Sequence, residues 1–467
     1  MTDPLTSTEG NGQQTSTLKL VLAIACLVWY GVLWFLGLLG CFNARKRYRL
    51  RPRSPLASAP ASSVPGVSII RPLKGLDVNL YENLESTFCQ EYAKYEIFLC
   101  VGDDQDQALP IVRELIAKHP AVNAHIIIGE ENVGVNPKVN NLTRAYREAA
   151  YDILWVIDSN ISVDPGTLAR SVDALGPPPT ASPSGRRRIA LVHHVPFAFM
   201  TEPSLGARIE EAFLNTNHAK MYLAINAVAV DSCVVGKSNL YRRSDLERVD
   251  GSLKPHTVNV AGSPSERGLA AFGRFLAEDN MIASALWHEL DLRHDVSCDV
   301  ARNAVGNMSF SDYIWRRVRW IRVRKHMVLV ATLMEPLTES VLVGILTSIA
   351  LKYLVGLPPW IFLPLHFSAW LFVDLDVYTS LAGHPLPSGR VWWSFVVAWM
   401  LRECLTLPIW LVAIWGNTIV WRGREYVILR NGEVQKSGHN GGHPGWLQWK
   451  FWRKRDTVND GYEPLEL

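Results

Sequence analysis

The sequence predicts an α/β domain inserted between an N-terminal transmembrane helix and a C-terminal helical membrane region. Three observations lead there. Leu20–Phe42 is a run of 23 residues without a charge, short apolar strands alternate with helical segments from Val67 to about residue 160, and long apolar runs return from about residue 327.

The uncharged run is long enough to cross a hydrocarbon core as a helix. The basic cluster Arg45, Lys46, Arg47, Arg49, Arg51 and Arg53 comes directly after it. A cleaved signal peptide would carry its positive charge before a shorter apolar stretch and would end at a small-residue cleavage site. The positive-inside rule therefore predicts that everything from Arg45 onward faces the cytosol. Glycosylation sequons at Asn141, Asn160 and Asn307 agree with that side, because sugars on the first two would intrude on the site described below. Residues 1–17 are polar, rich in Ser and Thr, and expected to be disordered.

After the Pro-rich stretch 52–66, strands are expected at Val67–Ile70, Tyr95–Val101, His125–Ile128 and Ile153–Ile157. Helices fit at roughly 108–119 and 138–150. This alternation is the pattern of a largely parallel sheet. Two polar inserts, 177–188 and about 254–268, read as surface loops.

In the C-terminal third, Ser340–Leu351 is short, Tyr353–Val373 is 21 residues without Asp, Glu, Lys or Arg, and Cys404–Trp421 is an uncharged run of 18. Three spans are expected, with a fourth or an interface-lying helix at Val391–Leu401. Pro358–Pro359 is expected to mark a break between spans. The division is thus 1–17 N-terminus, 18–43 transmembrane helix, 44–66 basic and Pro-rich linker, 67–326 catalytic domain, 327–425 membrane domain and 426–467 tail. The tail's Trp446, Trp449, Lys450, Phe451, Trp452, Arg453, Lys454 and Arg455 read as a segment resting on lipid headgroups or as a solvated basic tail.

Composition narrows the function. Lys+Arg 47 against Asp+Glu 44 gives a net charge of +3, too balanced to call for nucleic acid. The 17 Trp suit membrane interfaces or a soluble core, and the seven scattered Cys show neither a disulfide framework nor a zinc motif.

Four clusters carry chemistry. Gly102-Asp103-Asp104-Gln105-Asp106 follows the strand YEIFLCV, and Asp158-Ser159-Asn160 follows ILWVI. Glu278-Asp279-Asn280 precedes MIASAL, and Arg316-Arg317-Val318-Arg319-Trp320 lies in a helix expected to begin near Ser309. Function in α/β domains gathers at the carboxyl ends of strands. Any one cluster alone reads equally as turn chemistry; their order, ahead of apolar spans, is specific.

That order resembles the GT-A-fold, processive-type glycosyltransferases: an Asp, a D-x-D-like element, a third Asp, then (Q/R)-x-x-R-W. Within that group the chain is most similar to the ceramide glucosyltransferases, a family 21, family 2-like set also called glucosylceramide synthases. The likeness runs from about Arg71 to the C-terminal spans through RPLKG (71–75), VGVNPKVNNL (133–142), DSN (158–160), LVHHVPF (191–197), AEDN (277–280) and RRVRW (316–320). The N-P-K-V-N-N-L run and the single-Asp second motif set it apart from cellulose, chitin and hyaluronan synthases. The two inserts point to a fungal-type member. The resemblance implies an α/β GT-A (nucleotide-diphospho-sugar transferase) domain that transfers glucose from UDP-glucose to the primary hydroxyl of ceramide with inversion, giving glucosylceramide and UDP. It also implies a multi-pass protein of the Golgi, or the ER, with its catalytic domain facing the cytosol.

Physical chemistry assigns roles. A departing nucleoside diphosphate needs positive charge, from a divalent metal or from cationic side chains. Asp158 is a hard oxygen ligand suited to Mg2+ or Mn2+, with Asn160 available only as a neutral one. By resemblance Asp103 contacts the nucleotide; Asp104 and Asp106 are nearby substitutes or solvated loop residues. Lys138 is expected to meet phosphate or nucleotide, and Lys74 either does so or is a surface lysine. Asp279 is the expected general base for inversion, with Glu278 the adjacent rival. Arg316, Arg319 and Trp320 are expected on the nucleotide-sugar side, Trp320 also on the acceptor side, within a helix that rests on the membrane. His193 matches a V-H motif and lines the acceptor side or serves structure; His194 has no such match. Two other readings remain: a processive polysaccharide synthase, and a non-catalytic lipid-binding scaffold. The first predicts more spans and a fuller D-x-D, the second degraded motifs.

Overall fold

The computed structural model describes residues 7–177, 187–253, 267–421, 424–429 and 432–436. The inserts expected at 177–188 and 254–268, and the basic aromatic tail beyond residue 436, lie largely or wholly outside the described residues.

Helix α1 (Ser7–Tyr48) carries the uncharged run and continues through Arg45, Lys46 and Arg47 in its last turn. The helix therefore begins within the segment expected to be disordered and extends into the stretch expected as linker.

The catalytic domain is built on β1 (Val67–Pro72), β2 (Tyr95–Val101), β3 (Asn123–Ile128), β4 (Ile153–Ile157), β5 (Ile161–Ser162), β6 (Ile189–Met200), β7 (Ser238–Arg242) and β8 (Arg293–Val305). They form one eight-stranded sheet in the order β3-β2-β1-β4-β7-β6-β8-β5. β1 pairs in parallel with β2 and β4, and β2 with β3. β7 reverses direction beside β4, so the loop entering β7 meets the loop leaving β4.

Both faces of the sheet are covered, which is why its strands read as nearly continuous apolar runs. Ile69, Leu99, Trp155 and Ile157 face a core with α2 (Leu80–Phe88), α3 (Leu109–Lys118) and α5 (Thr167–Leu175). Ile70, Phe98, Leu154 and Val156 face the opposite core with α4 (Pro137–Glu148) and the later helix Glu278–His288. Helix α4 starts where Asn136 accepts from the Lys138 amide and Pro137 takes the first turn.

Between β6 and β7 run α6 (Leu205–Phe213), a π-helical turn at Leu214–His218 and α7 (Ala219–Val228). α8 (Arg243–Leu246) follows β7, and α9 (Glu278–His288) precedes β8. α10 (Phe310–Lys325) begins at a capping box between Ser309 and Asp312, as expected for that boundary.

Beyond it come α11 (Leu329–Met334), α12 (Ser340–Val355), α13 (Pro359–Ala382) and α14 (Arg390–Ile414). Among the described residues three helices, α1, α13 and α14, are long and apolar enough to cross a membrane, or four spans if the pair Leu329–Thr338 and Ser340–Val355, bent by 64°, is one. Pro358–Pro359 separates α12 from α13. Val391–Leu401 and the run from Cys404 are not separate segments, however. They belong to one helix, continuous through Arg402 and Glu403 because those buried charges find partners: Arg402 Nη2 lies 2.6 Å from the Glu339 carboxylate and Arg402 also pairs with Glu403, which accepts from the Ser340 hydroxyl. Trp421 is not helical but ends β9 (Thr418–Trp421), which pairs with β10 (Arg424–Ile428), itself paired with β11 (Val434–Lys436). A boundary at 425/426 thus cuts a strand. This small sheet returns to the catalytic domain, where Ile419, Tyr426, Ile428 and Val434 pack on Leu276 and Glu433 bridges to Phe275.

The basic cluster that spans the end of α1 and the residues after it is a clamp. Arg45 and Arg49 reach Asp376 of α13 at 2.6 and 2.8 Å, Arg47 reaches Asp295 of β8 at 3.0 Å, and Arg51 reaches Asp164 at 2.7 Å. Deeper, Lys220 of α7 lies 2.6 Å from Asp374 of α13, which also accepts from the Trp399 indole at 2.8 Å. Gly40 of α1 lets the two backbones approach, since a Cβ there would sit 2.1 Å from the Lys220 carbonyl oxygen. Breaking a buried pair strands the other charge, so Lys220→Met is expected to destabilise the protein by about 3–5 kcal/mol. Lys220→Met/Asp374→Leu should recover most of that loss in thermal unfolding of the detergent-solubilised protein. No recovery in the double variant would mean that packing, not charge, dominates there.

Candidate active site

The carboxyl ends of β1, β2 and β4 gather the sequence motifs. Leaving β1, the RPLKG segment turns at Gly75, whose amide donates to Asp106 at 3.0 Å; Asp106 also accepts from Ala108 at 2.9 Å, at the start of α3. Asn141, a sequon residue, donates to the Leu73 carbonyl at 3.1 Å. Asp106 is therefore a structural tie. Asp103 is exposed at the end of β2, its carboxylate accepting from the Gln105 amide at 2.9 Å, and Asp104 is exposed beside it.

Arg71, fully buried in β1, donates to the carbonyls of Ser159 and Ile161 at 3.3 and 3.0 Å and so shapes the Asp-Ser-Asn turn. Burial pushes its guanidinium down while Asp158 and Asp77 oppose that shift. Ser159 donates to Asp77 at 2.6 Å, leaving Asp158 and Asn160 to face the site.

Lys138 joins the motifs. From the first turn of α4 its ammonium lies 2.9 Å from Asp158, 3.0 Å from Glu278 and 3.0 Å from Asp279. Burial alone would lower its pKa; the three carboxylates reverse that and hold it well above its ordinary value. Asp158 is likewise pushed up by burial but drawn below the usual carboxylate value by Lys138 and Lys237.

Glu278 and Asp279 open α9 and do not follow a strand. The two neighbours diverge. Glu278 is turned inward, 1% exposed at its side chain, and accepts from Asn136 at 2.7 Å. Asp279 keeps 14% of its side-chain surface. Burial and the adjacent Glu278 raise the Asp279 pKa well above the ordinary value, against the opposing effect of Lys138.

The RRVRW helix engages elsewhere. Arg316 Nε lies 3.1 Å from Glu210 of α6, and Arg317 stacks over Phe213 at 3.7 Å from the ring centre to the guanidinium. Arg319 and Trp320 are half-buried, and Lys74 is exposed. His193 is buried in β6 and paired with the Tyr222 hydroxyl; burial pushes its pKa well down, so it is neutral. His194, also buried, bonds Ser171 at 3.0 Å and the Ser238 hydroxyl at 2.9 Å.

Sequence reasoning passed over Lys237, Asn136, Asp77 and Arg71. Asn136 was legible as an Asn-Pro helix cap inside a motif already singled out. Lys237 carried no signal beyond a Gly-Lys-Ser turn, because its place beside Asp158 comes from the antiparallel pairing of β7 with β4.

The oxygens expected to hold a divalent cation are engaged by lysines. Lys237 lies 3.3 Å from Asp158 Oδ2 and donates to Asn160 Oδ1 at 3.3 Å, while Lys138 takes Asp158 Oδ1. Among the described residues no group of three His, Cys, Asp or Glu side chains is arranged to hold a metal. The donor set does not fit a divalent cation.

Comparison with known proteins follows the same lines. The family model for glycosyl transferase family 21 matches residues 32–262 and 264–434. A ceramide glucosyltransferase of Komagataella phaffii is 37% identical over 469 residues, covering 88% of this chain and 91% of that protein. One from Candida albicans is 33% identical, covering 90% and 98%, and ceramide glucosyltransferase 1 of Caenorhabditis elegans is 30% identical, covering 89% and 82%. A solved mannosyltransferase from Pyrobaculum calidifontis, in complex with GDP-Man and Mn2+, aligns at a TM-score of 0.44 and 16% identity, covering 84% of this chain and 99% of that one. With the family match running from the first span through the sheet and the membrane helices to the returning strands, the chain belongs to glycosyl transferase family 21.

Proposed function

We propose that this glycosyltransferase moves glucose from UDP-glucose to the primary hydroxyl of ceramide at a membrane surface, giving glucosylceramide and UDP with inversion. The observation that carries the reading is the convergence of Asp158, Glu278 and Asp279 on Lys138, in a domain clamped to membrane helices through Lys220–Asp374 and the arginines at the end of α1. The names of the fungal and nematode relatives support glucose as the transferred sugar and ceramide as the acceptor. Ceramide barely leaves a bilayer, so a transferase acting on it must sit against the lipid. The reading includes a Golgi or ER membrane and a catalytic domain on the cytosolic side, the side the arginine cluster favours.

In this mechanism Asp279 takes the proton of the acceptor hydroxyl as its oxygen attacks the anomeric carbon. Its partial exposure and raised basicity support that role over Glu278, which is held by Asn136 and Lys138. Asp103 is open to the nucleotide, and Arg319 and Trp320 supply a cationic and flat face on the phosphate and acceptor side. Arg316, drawn to Glu210, sets the pose of their helix. His193 is neutral and buried, which supports a role in shaping the acceptor side over one in proton transfer. No step is assigned to a metal.

Membranes carrying the protein, given UDP-glucose and labelled ceramide, are expected to yield a single-hexose ceramide by mass. Asp279→Asn should lower that rate by about 10²–10⁴-fold. A polymer in place of the lipid would transfer the chain to the processive class.

Because burial and Glu278 raise the pKa of Asp279, the acid limb of kcat/KM should lie above the pH range of an ordinary Asp. Lys138 opposes the rise, so Lys138→Met should move that limb to still higher pH; a limb that stays in place would remove Asp279 as the titrating base.

Gly236 offers a third check. A Cβ there would lie 1.9 Å from Asp279 Oδ2, so Gly236→Ala must push the carboxylate aside. The expected result is an intact circular dichroism spectrum with transfer reduced by about 10²-fold.

A further inference from the structure

Lys237 belongs to none of the motifs and has no part in the proton transfer, yet it is among the most deeply placed charges of the site. Its side chain is 5% exposed and sits in the turn that enters β7, a strand pinned against β4 by five paired residues. Its ammonium faces Asp158 and Asn160, both at 3.3 Å. Lys138 faces the other oxygen of Asp158 at 2.9 Å.

Mg2+ demands near-octahedral oxygen coordination at about 2.0–2.1 Å and gives up its water reluctantly. At Asp158 it would have to displace two ammonium groups from the carboxylate and one of them again from Asn160. Those two ammonium groups together carry the same charge as the ion they exclude. Arg71 lies among Asp77 and the Asp-Ser-Asn turn, and Lys138 is shared by Asp158 with Glu278 and Asp279, so Lys237 is the ammonium of the pair that, among the described residues, faces Asp158 and Asn160 alone. Preorganised cations in a site closed to water stabilise developing negative charge without reorganisation.

We propose that Lys237, acting with Lys138, supplies the counter-charge to the donor's diphosphate in place of a divalent cation, so that transfer proceeds without a metal. The proposal rests on the glucosyl-transfer reading. In the step, the acceptor oxygen forms its bond to the anomeric carbon and the hydroxyl proton passes to Asp279. The bond from that carbon to the diphosphate oxygen breaks, and its electron pair leaves on the diphosphate, where the two ammonium groups balance it. No oxidant, reductant or further reactant is needed.

The test uses the full chain in detergent with UDP-glucose and ceramide, after exhaustive chelation with EDTA and again with added Mn2+. UDP binding is measured by calorimetry in both conditions. The wild type is expected to form hexosylceramide and bind UDP in EDTA. Lys237→Met should lose about 10²-fold in kcat with weakened UDP binding, and Lys237→Arg should recover both. Wild-type activity and UDP binding that vanish in EDTA and return with Mn2+ would overturn the proposal while leaving glucosyl transfer standing. A Lys237→Met enzyme as active as wild type would overturn it equally. Wild-type calorimetry in EDTA needs no variant, so the test survives if Lys237→Met fails to fold. No hexosylceramide from folded wild type in either condition would instead sink the functional reading beneath it.

Discussion

A single ammonium, that of Lys138, stands between carboxylates from two distant parts of the chain, and the geometry of the site follows from it. Asp158 reaches it from the end of β4, and Glu278 and Asp279 from the start of α9, all within 3.0 Å. Three carboxylates buried this closely would repel one another and take up protons; one shared cation makes the ionised arrangement tolerable. The backbone enforces the same meeting. Asn136 caps α4 beneath Lys138 and also bonds Glu278 and the Phe275 carbonyl. Gly134 passes so close to Gly273 that a Cβ would lie 2.3 Å from the Gly273 carbonyl oxygen. Charge and backbone thus lock the N-P-K and E-D-N segments into one unit.

The second constraint is the lipid bilayer. The sheet alone could stand free, since both its faces are covered. It is tied to the membrane helices by apolar packing, as where Val195, Tyr222 and Val300 meet Cys41, Val373 and Val377, and by ion pairs: the arginines at the end of α1 and just beyond it on Asp376, Asp295 and Asp164, and Lys220 on Asp374. Arg324 and Arg317 of the RRVRW helix reach Glu335 at the bend before α12. Ion pairs are directional, and buried ones are costly to break, so they hold an orientation that apolar contact alone would let slide. An enzyme working on a lipid needs that orientation, because its acceptor arrives from one side only.

These two sets of contacts also explain the end of the chain. The strands after α14 come back to pack Leu276, next to Ala277 and the two acids of α9. The carboxylates around Lys138 are therefore braced by residues downstream of the last membrane helix, and the fold of the site and the path through the membrane are not independent modules.

Much of this was legible in the residues. Local signals are strong where one physical effect dominates: the uncharged run of α1, the apolar strands Tyr95–Val101 and Ile153–Ile157, the Ser309 cap of α10 and the break at Pro358–Pro359 were all set by neighbours in sequence. The order of the motifs carried the family. Tertiary structure decided what depends on partners remote in the chain. Arg402 and Glu403 looked like the end of an apolar segment, but Glu339 lets α14 continue through them. Asp106 stood as a substitute for Asp103 or a solvated loop residue until Gly75 and Ala108 claimed it. Asp279 was the expected base with Glu278 its neighbouring rival, and only the fold shows Asn136 turning Glu278 inward. Lys237 became part of the site only because β7 runs antiparallel to β4. A sequence displays which charges a protein owns; which charges meet is set by folding, because an ion pair's strength depends on distance and burial that no single segment contains.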